Sequence, residues 1–174
     1  MELAAKKSSI FLIGFMASGK SSLGKKLAKH FEMDFIDLDE EIEQAESKSI
    51  NELFEDQNED YFREVESKVL RSMNLDNKVI ATGGGTPIFH HNMAFMKEKG
   101  AVAYMVVPTE IIIGRLRQNK EERPLVRKLS DEDMSAYVEK TLEQRKIIYS
   151  KADMLIPHTK SFSLLKMELS FLLN

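Results

Sequence analysis

The chain reads as an α/β layer fold built on a parallel sheet. Five short apolar runs rich in β-branched and aromatic residues recur along the 174 residues, and segments with helical apolar spacing lie between them. The runs are continuously apolar instead of alternating, which suits strands covered on both faces. With 43% hydrophobic residues the chain can bury one sizeable core, and residues 1–174 are expected to form a single domain.

The first run, SIFLIG (9–14), follows Lys6 and Lys7 and so loosely imitates a secretory leader. It contains Gly14 and ends in SGKSS instead of a small-residue cleavage site, so it reads as the first buried strand. A helix over 20–31 leads to strand MDFIDL (33–38). Helices over 40–46, 49–55 and 59–73 precede strand KVIAT (78–82). A helix over 90–99, with His90 and His91 exposed at its start, leads to strand AVAYMVV (101–107). Helices over 109–118 and 132–150, strand DMLIP (153–157) and a helix over 161–173 complete the chain. In the last helix Phe162, Leu165, Leu169 and Leu172 recur at spacings of three and four, a stripe that belongs in a core more often than on a partner. Residues 118–133, QNKEERPLVRKLSDED, are dense in charge and poor in apolar periodicity. They form a solvated loop, unless a neighbouring site needs a lid.

With 28 acidic against 25 basic residues the net charge is −3, so no overall positive field attracts nucleic acid or an anionic membrane. A local basic pocket stays open. The absence of cysteine excludes a disulfide framework and thiolate metal sites, and four scattered histidines argue against structural zinc. A reducing, cytoplasmic setting fits. No apolar run approaches the ~20 residues that span a bilayer.

The first strand runs into GFMASGKSS, where Gly14, Gly19, Lys20 and Ser21 satisfy G-x-x-x-x-G-K-[ST] between a strand and a helix. Such a loop turns successive N–H groups toward phosphate oxygens, and the helix opening near Lys20 adds the positive end of its dipole. Gly14, Ala17, Ser18, Gly19, Lys20, Ser21 and Ser22 are therefore the expected ATP-binding stretch. Lys20 would reach the β- and γ-phosphates, and the Ser21 hydroxyl would ligate Mg²⁺.

In FIDLDEEIE, Asp37 and Asp39 lie two apart at a strand end, so both are expected to project to the same side of the sheet's carboxyl edge, where ligands bind. One would stand near the metal and the other on a substrate hydroxyl. The alternative is that Asp39 caps the following helix and Asp37 is a solvated strand end. Glu40, Glu41 and Glu43 read as an acidic first turn only. Arg63, Arg123 and Arg145 taken singly are ordinary surface residues. Gly83, Gly84 and Gly85 after the third strand are either a loose turn or a wall of bare backbone N–H donors at the ligand edge.

The stretches GFMASGKSSLGKKLA, FIDLDEEIE, INELFEDQNEDYFREVESKVL, VIATGGGTP, RPL and QRKIIYSKAD together resemble shikimate kinase, in order and spacing, over essentially the whole chain. The resemblance implies a three-layer P-loop kinase fold of the nucleoside-monophosphate-kinase-like group, with a five-stranded parallel sheet flanked by helices. It implies a monomer with a substrate-binding helical region at 34–62 and a mobile lid at 118–133. The implied reaction moves the γ-phosphate of ATP, with Mg²⁺, to the 3-hydroxyl of shikimate in chorismate and aromatic amino-acid biosynthesis. Arg63 and Arg145 are implied to hold the substrate carboxylate, Asp39 to orient the attacking hydroxyl, and Asp37 to stand near Mg²⁺. The resemblance also places Gly83, Gly84 and Gly85 against the substrate and lets Arg123 close over the transferred phosphate. On the adenine side it points to Pro157 and to Arg115 or Arg117, with Arg117 the expected contact. Ala17 stands where relatives carry glycine and is expected to matter little. Ser47 and Asn58 likewise replace glycine at helix boundaries, and Asn58 is expected to accept a left-handed backbone. A gluconate kinase shares the nucleotide half but not the arginine pair with the glycine triple, and an ATP-binding protein without catalysis is disfavoured by intact Lys20, Asp39 and Arg123.

Overall fold

The computed structural model describes residues 8–173. Residues 1–7, with the lysines of the leader-like start, lie outside the described residues. Five strands, β1 (Ile10–Ile13), β2 (Asp34–Asp37), β3 (Lys78–Ala81), β4 (Ala101–Val106) and β5 (Met154–Pro157), form one sheet in the order β2-β3-β1-β4-β5, every pair parallel. The described residues form eight α-helices: α1 (Lys20–Phe31), α2 (Leu38–Glu46), α3 (Ile50–Asp56), α4 (Glu59–Ser72), α5 (Asn92–Lys99), α6 (Thr109–Gln118), α7 (Asp131–Tyr149) and α8 (Phe162–Leu173).

The apolar runs are continuous because both faces of the sheet are covered. On β1, Phe11 and Ile13 pack into the layer of α2, α4 and α5, while Ile10 and Leu12 pack into the layer of α1 and α8. Each fully buried leucine or isoleucine contributes about 1.5–3 kcal/mol of transfer free energy. A third cluster, Phe15, Ile112, Leu116, Val126, Met134 and Val138, joins α6 and α7 beyond the carboxyl end of the sheet. The chain leaves β1 for β2 on one side and passes from β3 to β4 on the other, so the connection reverses beside β1 and opens a crevice there.

Element boundaries follow capping chemistry. Helix α2 starts at Leu38 because the Asp37 side chain accepts the Asp39 N–H at 3.2 Å. Helix α5 starts only at Asn92, since His90 and His91 hold left-handed backbone at φ 49 and 57, and both histidines are exposed as expected. Ser47 does take the left-handed conformation, at φ 52. Asn58 corrects the expectation: it is extended at φ −127, and its side chain caps α4 by accepting the Tyr61 N–H at 2.8 Å. In α8, Leu165 and Leu169 are buried and Leu172 is half-buried, but Phe162 at the stripe's start is 37% exposed.

The charged segment 118–133 is not a loop free along its length. A 3₁₀ turn, Lys120–Glu122, follows α6, and Val126 is fully buried against Phe15 and α7. Ser130 then caps α7, its hydroxyl accepting the Asp133 N–H at 3.0 Å. Among the described residues no helix is long and apolar enough to cross a membrane.

Candidate active site

The loop after β1 is shaped for close approach. Gly14 has φ 145, and a Cβ there would lie 3.1 Å from the Met105 carbonyl, so torsion and space both demand glycine. The first intrahelical bond of α1 runs from the Leu23 N–H to the Gly19 carbonyl at 3.0 Å. The amides of Lys20, Ser21 and Ser22 therefore stand ahead of it at the positive helix end. The buried Lys20 Nζ donates to the Gly14 and Phe15 carbonyls, each at 2.9 Å, and to the Ser18 hydroxyl at 3.3 Å. Burial pushes the Lys20 ammonium down to about 8; Arg123 and Arg145 act in the same direction, against Asp39 and Asp37.

Ala17 is less innocent than expected. It holds φ 59, a left-handed conformation that costs a residue with a Cβ about 1–2 kcal/mol. Its carbonyl accepts Arg115 Nη1 at 2.9 Å, so Arg115 lies across the loop and lines the cavity above it. Arg117, the expected adenine contact, instead pairs with Asp131 at 3.3 Å, outside that lining. Two residues apart on a helix, the side chains diverge by about 200°, so only one of the two can face the loop. Pro157 ends β5 exposed to solvent, also outside the lining.

The two aspartates meet by a different route from the one expected. Asp39 is not on the strand; it stands in the first turn of α2, and Asp37, not Asp39, is the cap. The Ser21 hydroxyl donates to Asp37 Oδ2 at 2.6 Å, which brings two hard oxygen donors together beside Lys20. Burial, then Asp37, then Glu66 push the Asp39 carboxyl up to about 6, with Lys20 and Arg123 opposing.

On the other side of Asp39, α4 presents Arg63, 4% exposed, with its guanidinium on Glu66 at 3.0 Å and Glu59 at 2.9 Å. Burial lowers the pKa of Arg63, and the two carboxylates more than reverse that. Glu66 is fully buried and accepts the Thr86 hydroxyl at 2.5 Å. Arg145 donates to the Gly84 carbonyl at 3.1 Å and lies 5.6 Å from the centre of the Phe15 ring. The Tyr149 hydroxyl donates to the same carbonyl.

These contacts correct the idea of a bare wall at Gly83–Gly85. A Cβ on Gly85 would come within 2.5 Å of the Arg63 guanidinium, and one on Gly83 within 2.7 Å of Glu66. A Cβ on Gly84 would sit 3.0 Å from the Met16 nitrogen of the P-loop. The missing side chains thus make room for the protein's own charged groups and loop. Among the described residues none of the three glycine N–H groups meets an acceptor.

Two cavities result. One, of about 850 Å³, lies over Ala17–Ser22 and reaches Asp37. The other, of about 70 Å³, lies between Phe54, Phe62, Arg63, Leu125 and Arg145. Met16, Asp39, Gly83, Gly84 and Arg123 line both, so the cavities meet at one carboxylate and one guanidinium. The arrangement can hold a phosphate chain on one side and a carboxylate-bearing acceptor on the other. Sequence reasoning missed Glu66 and Tyr149, although Glu66 lies three residues after Arg63 and Tyr149 four after Arg145, the spacings of helical neighbours.

A family model described as shikimate kinase matches residues 16–167. The shikimate kinase of Phocaeicola vulgatus is 41% identical over 144 residues, 82% of each chain. Among solved structures, shikimate kinase from Bacteroides thetaiotaomicron superposes with TM-score 0.82 and 34% identity, covering 94% of this chain and 95% of that one. Shikimate kinase from Acinetobacter baumannii in complex with shikimate gives TM-score 0.83 at 30% identity, covering 98% and 97%.

Proposed function

The chain belongs to the shikimate kinase family, ATP-dependent kinases acting on a hydroxyl of shikimate, and we propose that this one makes shikimate 3-phosphate and ADP by transfer to the 3-hydroxyl. The observation that carries the division of labour is the shared rim. Asp39 and Arg123 belong to both cavities, so a γ-phosphate entering from the larger one and a hydroxyl entering from the smaller meet between them.

Phosphoryl transfer through a loose transition state needs in-line placement and charge cancellation more than it needs a strong base. Lys20 exchanges the Gly14 and Phe15 carbonyls for the β- and γ-phosphates, where burial makes its charge count for more. Gly14, Ala17, Ser18, Gly19, Ser21 and Ser22 supply the rest of the cradle, with Arg115 in place of Arg117 on its outer side. The oxygens of Ser21 and Asp37 suit Mg²⁺, a hard cation. Bound there with ATP, the metal would neutralise charge on the phosphate oxygens.

Arg63 and Arg145 grip the substrate carboxylate, a task for which the planar fork of arginine is better shaped than lysine. The free N–H groups at Gly83–Gly85 add donors. Asp39 orients the attacking hydroxyl and accepts its proton late, and Arg123 spreads the developing phosphate charge. At about 70 Å³ the acceptor cavity is far below the roughly 300–1,000 Å³ usual for ligand pockets. Segment 118–133, which carries Arg123, Pro124 and Leu125 over it, therefore acts as a lid that must lift to admit the ring and close to exclude water. The same reading takes residues 1–174 as one functional unit, a cytoplasmic monomer, with α2–α4 as the substrate-binding region. A gluconate kinase would have no use for two arginines on one carboxylate, and a nucleotide sensor none for an acid on the acceptor side.

Asp39→Asn tests the assignment. Transfer to shikimate is expected to be abolished with ATP affinity within about a few-fold of the parent, as for loss of one positioned acid. Near-parent turnover in that variant removes Asp39 from the mechanism.

A further inference from the structure

We propose that Tyr149 is a positioning residue for shikimate binding, acting through the Gly84 carbonyl. The inference rests on the reading of Arg145 as a carboxylate ligand. Tyr149 ends α7 fully buried, its ring tilted by 40° against that of Tyr104 with centroids 4.8 Å apart, and its hydroxyl donates to the Gly84 carbonyl. The same oxygen accepts Arg145 Nη1 at 3.1 Å, so both of its lone pairs are engaged by residues one helical turn apart.

Two consequences follow from geometry. The carbonyl holds one corner of the Arg145 guanidinium, leaving its other N–H groups aimed by the Phe15 face at 5.6 Å. The peptide joining Gly84 to Gly85 is planar and trans, so fixing its carbonyl also fixes the direction of the Gly85 N–H at its opposite end. That N–H has no acceptor among the described residues. One phenol thus sets two acceptor-side donors. Gly84 in turn lies beside the P-loop, where a Cβ would sit 3.0 Å from the Met16 nitrogen. Burial pushes the phenol up to about 12, so it remains a donor across the working pH range.

The test is Tyr149→Phe, which keeps the ring and removes one hydroxyl, beside Tyr104→Phe and Arg145→Lys. Losing one buried hydrogen bond is expected to raise KM for shikimate by up to about tenfold in Tyr149→Phe, with kcat and KM for ATP within about twofold. Tyr104→Phe is expected to leave all three unchanged, and Arg145→Lys to raise KM for shikimate further. A Tyr149→Phe enzyme with parent KM for shikimate, or with KM for both substrates raised alike, overturns the inference whatever its Tm. If Arg145→Lys is also silent, the carboxylate reading falls with it. A selective Tyr149→Phe effect beside a silent Arg145→Lys overturns the route through Arg145.

Discussion

In the proposed reaction Asp39 carries the acceptor chemistry, and its environment gives that chemistry a pH signature. Its carboxyl is held at about 6 against an ordinary 3.8, so the folded protein binds this proton more tightly than the unfolded chain does. The associated stability is present at low pH and is lost as pH rises from 3.8 through about 6. Lys20 has the opposite sense: its charged form is disfavoured by burial, and stability is gained as pH rises from about 8 toward 10.5. On the proposed reading activity is expected to follow Asp39, because only the carboxylate can take the proton. A profile of kcat/KM for shikimate in the free enzyme is expected to fall on the acid side with an apparent pKa near 6. A profile with its acid limb at an ordinary carboxylate value would detach Asp39 from the rate. At this scale the P-loop pattern picked out Lys20 and its place beside a strand end picked out Asp39, whereas Arg63 and Arg145, ordinary surface residues taken singly, came only with the family resemblance. The sequence left Glu66 and Tyr149 hidden, since a buried glutamate and a buried phenol reveal their partners only once α4 and α7 are packed against the Gly83–Gly85 turn.

Among the elements, the segment between α6 and α7 was the hardest to read. Charge density suggested solvent along its whole length, but Val126 is buried with Phe15 while Arg123 and Leu125 face the cavities. Leu125, Val126 and Leu129, the apolar residues of this charged run, make no full helical stripe to detect. The segment is also tied to α3: Arg127 pairs with Glu55, the residue after Phe54, which lines the smaller cavity. Glu55 is exposed and Arg127 half-buried, and surface pairs of this kind are worth about 0.2–1 kcal/mol. Glu55→Ala is therefore expected to raise KM for shikimate by no more than about fivefold and to leave Tm within about 2 °C. A loss of turnover beyond that would mean the ion pair holds the closed lid much more tightly than its exposure allows. Helix limits were legible within a residue at α1, α3, α4 and α7, where the P-loop or a capping side chain marked them, whereas α2 starts before the expected 40 because Asp37, not Asp39, is its cap. The late start of α5 was not legible, because left-handed backbone at two consecutive histidines has no propensity signal.

For the whole molecule, the five strands and their parallel sense followed from apolar runs alone, whereas the count of layers and the kinase group came with the family resemblance. The order β2-β3-β1-β4-β5 explains why residues so far apart in the chain converge. It sets β3, with Gly83–Gly85 beyond its end, directly against β1 and the P-loop, and α4 and α7 bring the arginines to the same edge. What no local pattern disclosed is that the glycine turn makes room chiefly for the protein's own Arg63, Glu66 and P-loop backbone. The central claim is that the smaller cavity selects a carboxylated ring alcohol as acceptor. The most direct measurement is a coupled ADP-release assay with MgATP and a panel of acceptors. Stoichiometric ADP is expected on adding shikimate, and scarcely any with gluconate, quinate or nucleoside monophosphates. Turnover with shikimate no faster than the water background, or equal turnover with gluconate, would contradict the claim.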